Sequence, residues 1–154
     1  MSILGVPFHW RKRRERYRLI GSRCEICGKT FFPRREVCPN CRRRGRIVDV
    51  ELPGRGKVYS YTVIRVPSEG FEYYTPYIIA IVELENDVRV MSQIVDCNPE
   101  DVYIGMPVEV CFRKIFSQGD KGIISYGFKF RPLDESWVRY YEEEAKARVS
   151  EANV

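Results

Sequence analysis

The chain has 154 residues, 44% of them hydrophobic and 13% aromatic, and a net charge of +5. That length suits one ordinary globular domain or two small ones, and the composition excludes a disordered or fibrous chain. No apolar run approaches the roughly 18 residues of a membrane span, and Met1 to Phe8 is too short for a signal-peptide core, so a cytoplasmic, reducing setting is expected.

Charge is divided unevenly along the chain. Residues 1–46 hold 14 Lys and Arg, all but two of them Arg, against Glu15, Glu25 and Glu36, a net of +11. Residues 47–154 net −6. A basic head on a mildly acidic body points to an anionic partner for the head. Nucleic acid, a phosphorylated cofactor and an acidic protein surface all qualify.

Residues 7–19 read as a short helix that starts at Pro7, which suits a first helical turn. Its apolar stripe is weak, with only Phe8, Trp10, Tyr17 and Leu19. It is expected to dock through these side chains with its Arg residues facing outward. His9 is the only histidine, and no nucleophile or carboxylate cluster accompanies it, so no catalytic role is read for it.

The next stretch carries the clearest chemistry. Cys24-Glu25-Ile26-Cys27 and Cys38-Pro39-Asn40-Cys41 are two CxxC pairs with ten residues between them. Each pair forms a knuckle whose two sulfurs face one point. Two knuckles together place four thiolates at tetrahedral corners, the arrangement a structural Zn²⁺ prefers. Gly28 supplies tight backbone after the first pair, and Pro39 stiffens the second. Disulfides would need an oxidising compartment, and a redox CxxC would open a helix rather than sit among Arg, Pro and Gly. Sequence leaves Zn²⁺ and a rubredoxin-type Fe both open. With four protein ligands no coordination position remains for substrate, so the metal reads as structural. Thr30 to Arg34, between the knuckles, reads as a strand whose Phe31 and Phe32 rings cover the metal.

From Gly54 the pattern changes to period two with turn punctuation. Strands are expected at Val58–Val66, Tyr77–Leu84, Val88–Val95, Val108–Lys114 and Ile123–Phe130. Pro67 to Thr75 is an aromatic loop, Glu85-Asn86-Asp87 a hairpin turn, and Asp96 to Ile104 a connector. Five strands in this order match an OB-type barrel; a five-stranded open sheet or an SH3-like barrel remains open at this point. Cys97 and Cys111 fall on the barrel outside any CxxC spacing and read as small core residues. Asp134 to Glu151 reads as a final helix with Asp134 as its cap. The expected architecture is therefore mainly β. A basic aromatic helix (1–20) leads into a zinc ribbon with its connector (21–53), a five-stranded OB-fold barrel (54–131) and a C-terminal helix (132–154).

The order of motifs carries a resemblance. CxxCG is followed by Phe32-Pro33-Arg34 and Val37-Cys38-Pro39-x-Cys41. Gly54-Arg55-Gly56-Lys57-Val58-Tyr59-Ser60-Tyr61-Thr62, Pro76-Tyr77, Val82-Glu83-Leu84 and Gly105-Met106-Pro107-Val108-Glu109-Val110 come next. From about Phe8 to Phe130 this resembles the acyl-CoA-associated family of rubredoxin-like zinc ribbon plus OB-fold proteins, long catalogued as a domain of unknown function. The resemblance implies a partner. Members accompany thiolases and related condensing enzymes, including HMG-CoA synthase in archaea, or hot-dog-fold hydratases. It implies a non-catalytic scaffold that bridges partner enzymes and helps hold a CoA thioester, with CoA or acyl-CoA as ligand. On that reading Arg34, Arg35 and Lys57 are candidates for the CoA phosphates. Arg65 with Phe71, Tyr73 and Tyr74 are candidates for the tail.

A single-stranded nucleic-acid binder is the alternative, since an OB-fold, basic arms and aromatics are its usual materials. The acidic barrel argues against it. No paired carboxylates, nucleophile–base pair or phosphate loop is visible in the sequence, so the chain is not expected to be an enzyme by itself.

Overall fold

A computed structural model describes residues 6–68, 70–117, 119 and 122–133. The helix expected from Asp134 lies outside the described residues.

The head begins with two short helices, α1 (Val6–Arg11) and α2 (Arg13–Arg18), rather than the single helix expected over 7–19. Lys12 sits between them at φ −89° and ψ 2°, and its ammonium turns to Glu15 at 3.0 Å. A run of cations with so weak an apolar stripe has little packing to keep it straight. Of the expected docking aromatics, Tyr17 does pack, edge-on against Phe112 at 5.0 Å. Trp10 does not, and stays 69% exposed. Leu19 closes α2 in the left-handed region at φ 49° and is buried.

A three-stranded antiparallel ribbon follows, β2 (Thr30–Phe31) beside β1 (Ile20–Cys24) beside β3 (Ile47–Glu51). The strand expected through Arg34 is only two residues long, and Phe32 leaves it to face the barrel. Its ring meets Phe128 edge-on at 5.7 Å. The expectation that both Phe rings cover the metal is corrected for Phe32, which packs, partly buried, against the apolar barrel core.

The barrel is closed in the order β4-β5-β6-β8-β7. Its strands are β4 (Arg55–Ile64), β5 (Tyr77–Leu84), β6 (Arg89–Ile94), β7 (Pro107–Ser117) and β8 (Ile124–Pro132). β7 returns to β4 through Arg55↔Glu109 and Lys57↔Pro107, and β6 meets β8 in parallel at Ile94↔Phe130. This is the five-stranded OB-fold. On β5, Ile78, Ala80, Val82 and Leu84 alternate inward, as period-two patterning requires. With Val58, Val90, Ile94, Val108 and Phe130 they make the core, each worth about 1.5–3 kcal/mol on burial for the larger side chains.

Leu19 and Leu52 from the ribbon side belong to this same cluster, and Phe32 and Val50 pack against it. Ribbon and barrel thus share one hydrophobic core. Cys97 packs at the margin of that core, while Cys111 lies half-buried on β7 opposite Lys129.

Candidate functional site

The two knuckles fold by the same local rule. In the first, the Gly28 amide donates to the Cys24 carbonyl at 2.8 Å, with Gly28 in the left-handed region at φ 72°. In the second, the Arg42 amide donates to the Cys38 carbonyl at 2.8 Å, with Arg42 at φ 48°. Arg42 therefore stands where the first knuckle has glycine, a backbone position that costs an L-residue about 1 kcal/mol. The sequence carries no sign of this, since arginine is not a residue associated with left-handed backbone. Gly45 leans on the second knuckle. A Cβ there would lie 2.8 Å from the Cys38 Cβ, a close approach only glycine allows.

These turns bring the four sulfurs together. All four lie within 4.8 Å of one another, and Cys27 Sγ and Cys38 Sγ are 3.6 Å apart. Zn–S bonds of about 2.3 Å at tetrahedral angles would set sulfurs about 3.8 Å apart. The donor set fits a structural zinc in geometry and in chemistry. Cys24 and Cys38 are fully buried and Cys27 and Cys41 half-buried. Backbone N–H groups are aimed at the sulfurs. That of Cys41 reaches Cys38 Sγ at 3.4 Å. Those of Cys27, chiefly, and of Ile26 hold the Cys24 thiol down to about 6 against the opposing effect of burial. Burial, followed by the neighbouring sulfurs, pushes Cys41 up to about 12. Bound metal would supply the positive charge that lets all four ionise, and it would fix the two knuckles to each other.

The seven candidate ligand residues are not gathered into one pocket. Arg34 donates through Nε to Asp49 on β3 at 2.6 Å, which raises its pKa further and commits it to holding the ribbon. The Arg35 amide donates to the buried Ser22 hydroxyl at 3.0 Å, and its guanidinium lies 5.4 Å from the Phe31 ring centre. Lys57 pairs with Glu83 at 3.6 Å. Arg65 lies exposed just beyond the far end of β4, about 26 Å from Lys57 at some 3.3 Å per strand residue. Phe71 and Tyr74 are in contact at 6.1 Å, Phe71 also meets Tyr77 at 5.7 Å, and Tyr73 is 98% exposed.

Sequence reasoning missed Lys129. It is buried on β8 beneath this aromatic loop, with its ammonium 5.6 Å from the Tyr74 ring centre, and burial lowers its pKa. An isolated lysine in a strand pattern gives no signal of this. Tyr59 and Tyr61 are exposed on the barrel wall, and Arg89 stacks on Tyr59 at 3.6 Å.

The comparisons with known proteins follow the same division of the chain. The model of the ChsH2 rubredoxin-like zinc ribbon domain matches residues 11–46, and that of the ChsH2 C-terminal OB-fold domain matches residues 49–113. A DUF35 domain-containing scaffold protein of Methanocaldococcus jannaschii is 54% identical over 125 residues, covering 81% of this chain and 89% of that protein. The benzoylsuccinyl-CoA thiolase subunit BbsA of Geobacter metallireducens is 38% identical over 112 residues, covering 72% of this chain and 73% of the subunit. Among solved structures, a chain of the Ltp2-ChsH2(DUF35) aldolase superposes with a TM-score of 0.61 at 30% identity, over 85% of this chain and 96% of that one. The chain is thus a member of the DUF35 family, in its form of a ChsH2-type rubredoxin-like zinc ribbon followed by an OB-fold.

Proposed function

We propose that this chain is a non-catalytic scaffold subunit that binds a thiolase-superfamily enzyme and helps hold the CoA thioester that enzyme uses. The observation that carries this reading is the match to a thiolase subunit over 72% of the chain. Zinc at Cys24, Cys27, Cys38 and Cys41 is structural on this reading, because four thiolates leave it no open position. The setting is the cytoplasm, where those thiols stay reduced. HMG-CoA synthase and hot-dog-fold hydratases are the other partner classes that fit.

For the CoA part, Arg35 and Arg65 are the better candidates of the original set. No carboxylate among the described residues pairs with either, whereas Arg34 and Lys57 are held by Asp49 and Glu83. Arg35 suits a phosphate, and Arg65 lies at the aromatic loop of Phe71, Tyr73 and Tyr74. Co-expression with a thiolase-superfamily enzyme of the same genome, followed by acetyl-CoA calorimetry, tests the proposal. A stable complex that takes up acetyl-CoA more tightly than the enzyme alone supports it. No complex, or no change in CoA binding, removes the corresponding half.

Single-stranded nucleic-acid binding is retained as a second reading because Tyr59 and Tyr61 stand exposed on an OB-fold wall. It requires an affinity that falls steeply with salt.

A further inference from the structure

The head holds more cationic charge than it can neutralise. Residues 11–18 contain Arg11, Lys12, Arg13, Arg14, Arg16 and Arg18 against the single acid Glu15, which Lys12 takes at 3.0 Å. Arg18 reaches Glu51 at 3.3 Å. No carboxylate among the described residues pairs with Arg11 or Arg14. Arg13 stacks on the Trp10 ring, 4.4 Å from its guanidinium carbon, and no carboxylate among the described residues pairs with it.

The helices themselves are poorly supported. Each is six residues long, α2 buries none of its residues, and its first turn sets Arg13 and Arg14 beside the single acid Glu15 at the positive end of the helix dipole, with no side-chain cap. Trp10, the largest side chain on the arm, is 69% exposed, and its ring is already stacked by a guanidinium. Trp and Arg are the residue types that anchor protein interfaces.

We infer that the α1–α2 arm is a docking surface for the acidic face of a partner protein, with Trp10 as its anchor and Arg11, Arg13 and Arg14 as its charge-pairing residues. This rests on the scaffold reading and names the surface it uses. Among the described residues, the strand acids that a second copy would offer are already paired. Asp49, Glu51, Glu83 and Glu109, the acids on the strands, pair with Arg34, with Arg18, with Lys57 and Arg89, and with Arg131, and Asp96 just beyond β6 pairs with Arg113. Carboxylates of the partner paired with the arm would relieve the repulsion along α2 and desolvate Trp10.

The experiment uses the full zinc-loaded chain and the thiolase-superfamily enzyme co-expressed from the same genome. Affinity is measured by calorimetry at low and high salt for wild type, Trp10→Ala, the triple reversal of Arg11, Arg13 and Arg14 to Glu, and Met91→Asp on the exposed barrel wall. Zinc content and thermal unfolding of each variant establish that it is folded. Trp10→Ala is expected to weaken binding about thirtyfold and the triple reversal at least as much at low salt, with the reversal's effect shrinking at high salt. Met91→Asp is expected to bind like wild type. A complex that forms equally well with both arm variants overturns the inference while leaving the scaffold reading standing. No complex with any such enzyme overturns both. Self-association that Trp10→Ala abolishes assigns the arm to a second copy instead. Loss of binding to mixed-sequence single-stranded RNA in the arm variants, with enzyme binding intact, assigns it to nucleic acid; either result overturns the inference.

Discussion

At the scale of single residues, the metal-binding head depends on backbone conformations as much as on its cysteines. The two CxxC spacings were enough to foresee four sulfurs in one place, because a knuckle is a local structure and needs no information from the rest of the chain. The left-handed Arg42 could not be foreseen, because the cost it carries is recovered by the cluster it helps to close. Replacing it should therefore help. Arg42→Gly is expected to raise the stability of the zinc-loaded protein by about 1 kcal/mol in denaturant unfolding. Lys129 is a residue whose burial opposes folding. An ammonium with its pKa lowered by the fold destabilises the protein at neutral pH, and this penalty fades as pH rises through the lowered value toward the ordinary lysine range. At 5.6 Å the Tyr74 ring lies near the outer limit for a useful cation–π contact, so it offsets little of that penalty. Lys129→Met is expected to stabilise by about 1 kcal/mol at pH 7, with the gain shrinking toward about pH 10. A gain independent of pH would show that packing, not charge, is responsible.

At the scale of elements, strand placement followed from alternation. Tyr77–Leu84 was legible residue for residue because a central strand has one apolar face and no competing signal. The head was less legible. A single helix over 7–19 was expected from continuity of the pattern, yet the chain breaks at Lys12, where nothing apolar holds the two turns in line. The direction of Phe32 depends on Phe128, a residue 96 positions away, and no local pattern encodes that contact. Phe32 is the element-scale link between ribbon and barrel. Phe32→Ala is expected to cost about 2 kcal/mol, less than a fully buried Phe, and to lower the temperature at which the barrel unfolds. A loss confined to the ribbon, with the barrel transition unmoved, would contradict the shared core.

At the scale of the whole molecule, two domain models match adjoining stretches of the chain, yet the side chains make one core from both. Leu19 and Leu52 enter the barrel cluster from the ribbon side, so the four-sulfur centre and the barrel are mechanically joined. Structural zinc contributes roughly 10 kcal/mol to the folding of a small ribbon. Removing it with a strong chelator is expected to release the head and to lower the barrel's melting temperature as well, followed by circular dichroism. Chelation that leaves the barrel transition unchanged would separate the two. The candidate CoA residues are not brought together by the fold, since Arg35 follows β2 in the ribbon and Arg65 lies beyond the far end of β4, and residue type alone carries no information on such separation.

The most direct test of the scaffold role is the mass and metal content of the particle obtained when this chain is co-expressed with a thiolase-superfamily enzyme of its own genome. The expected result is a stable complex carrying one zinc per copy of the chain, in which only the enzyme's residues are needed for chemistry. A chain that elutes alone, fully metal-loaded and folded, beside the free enzyme would contradict it.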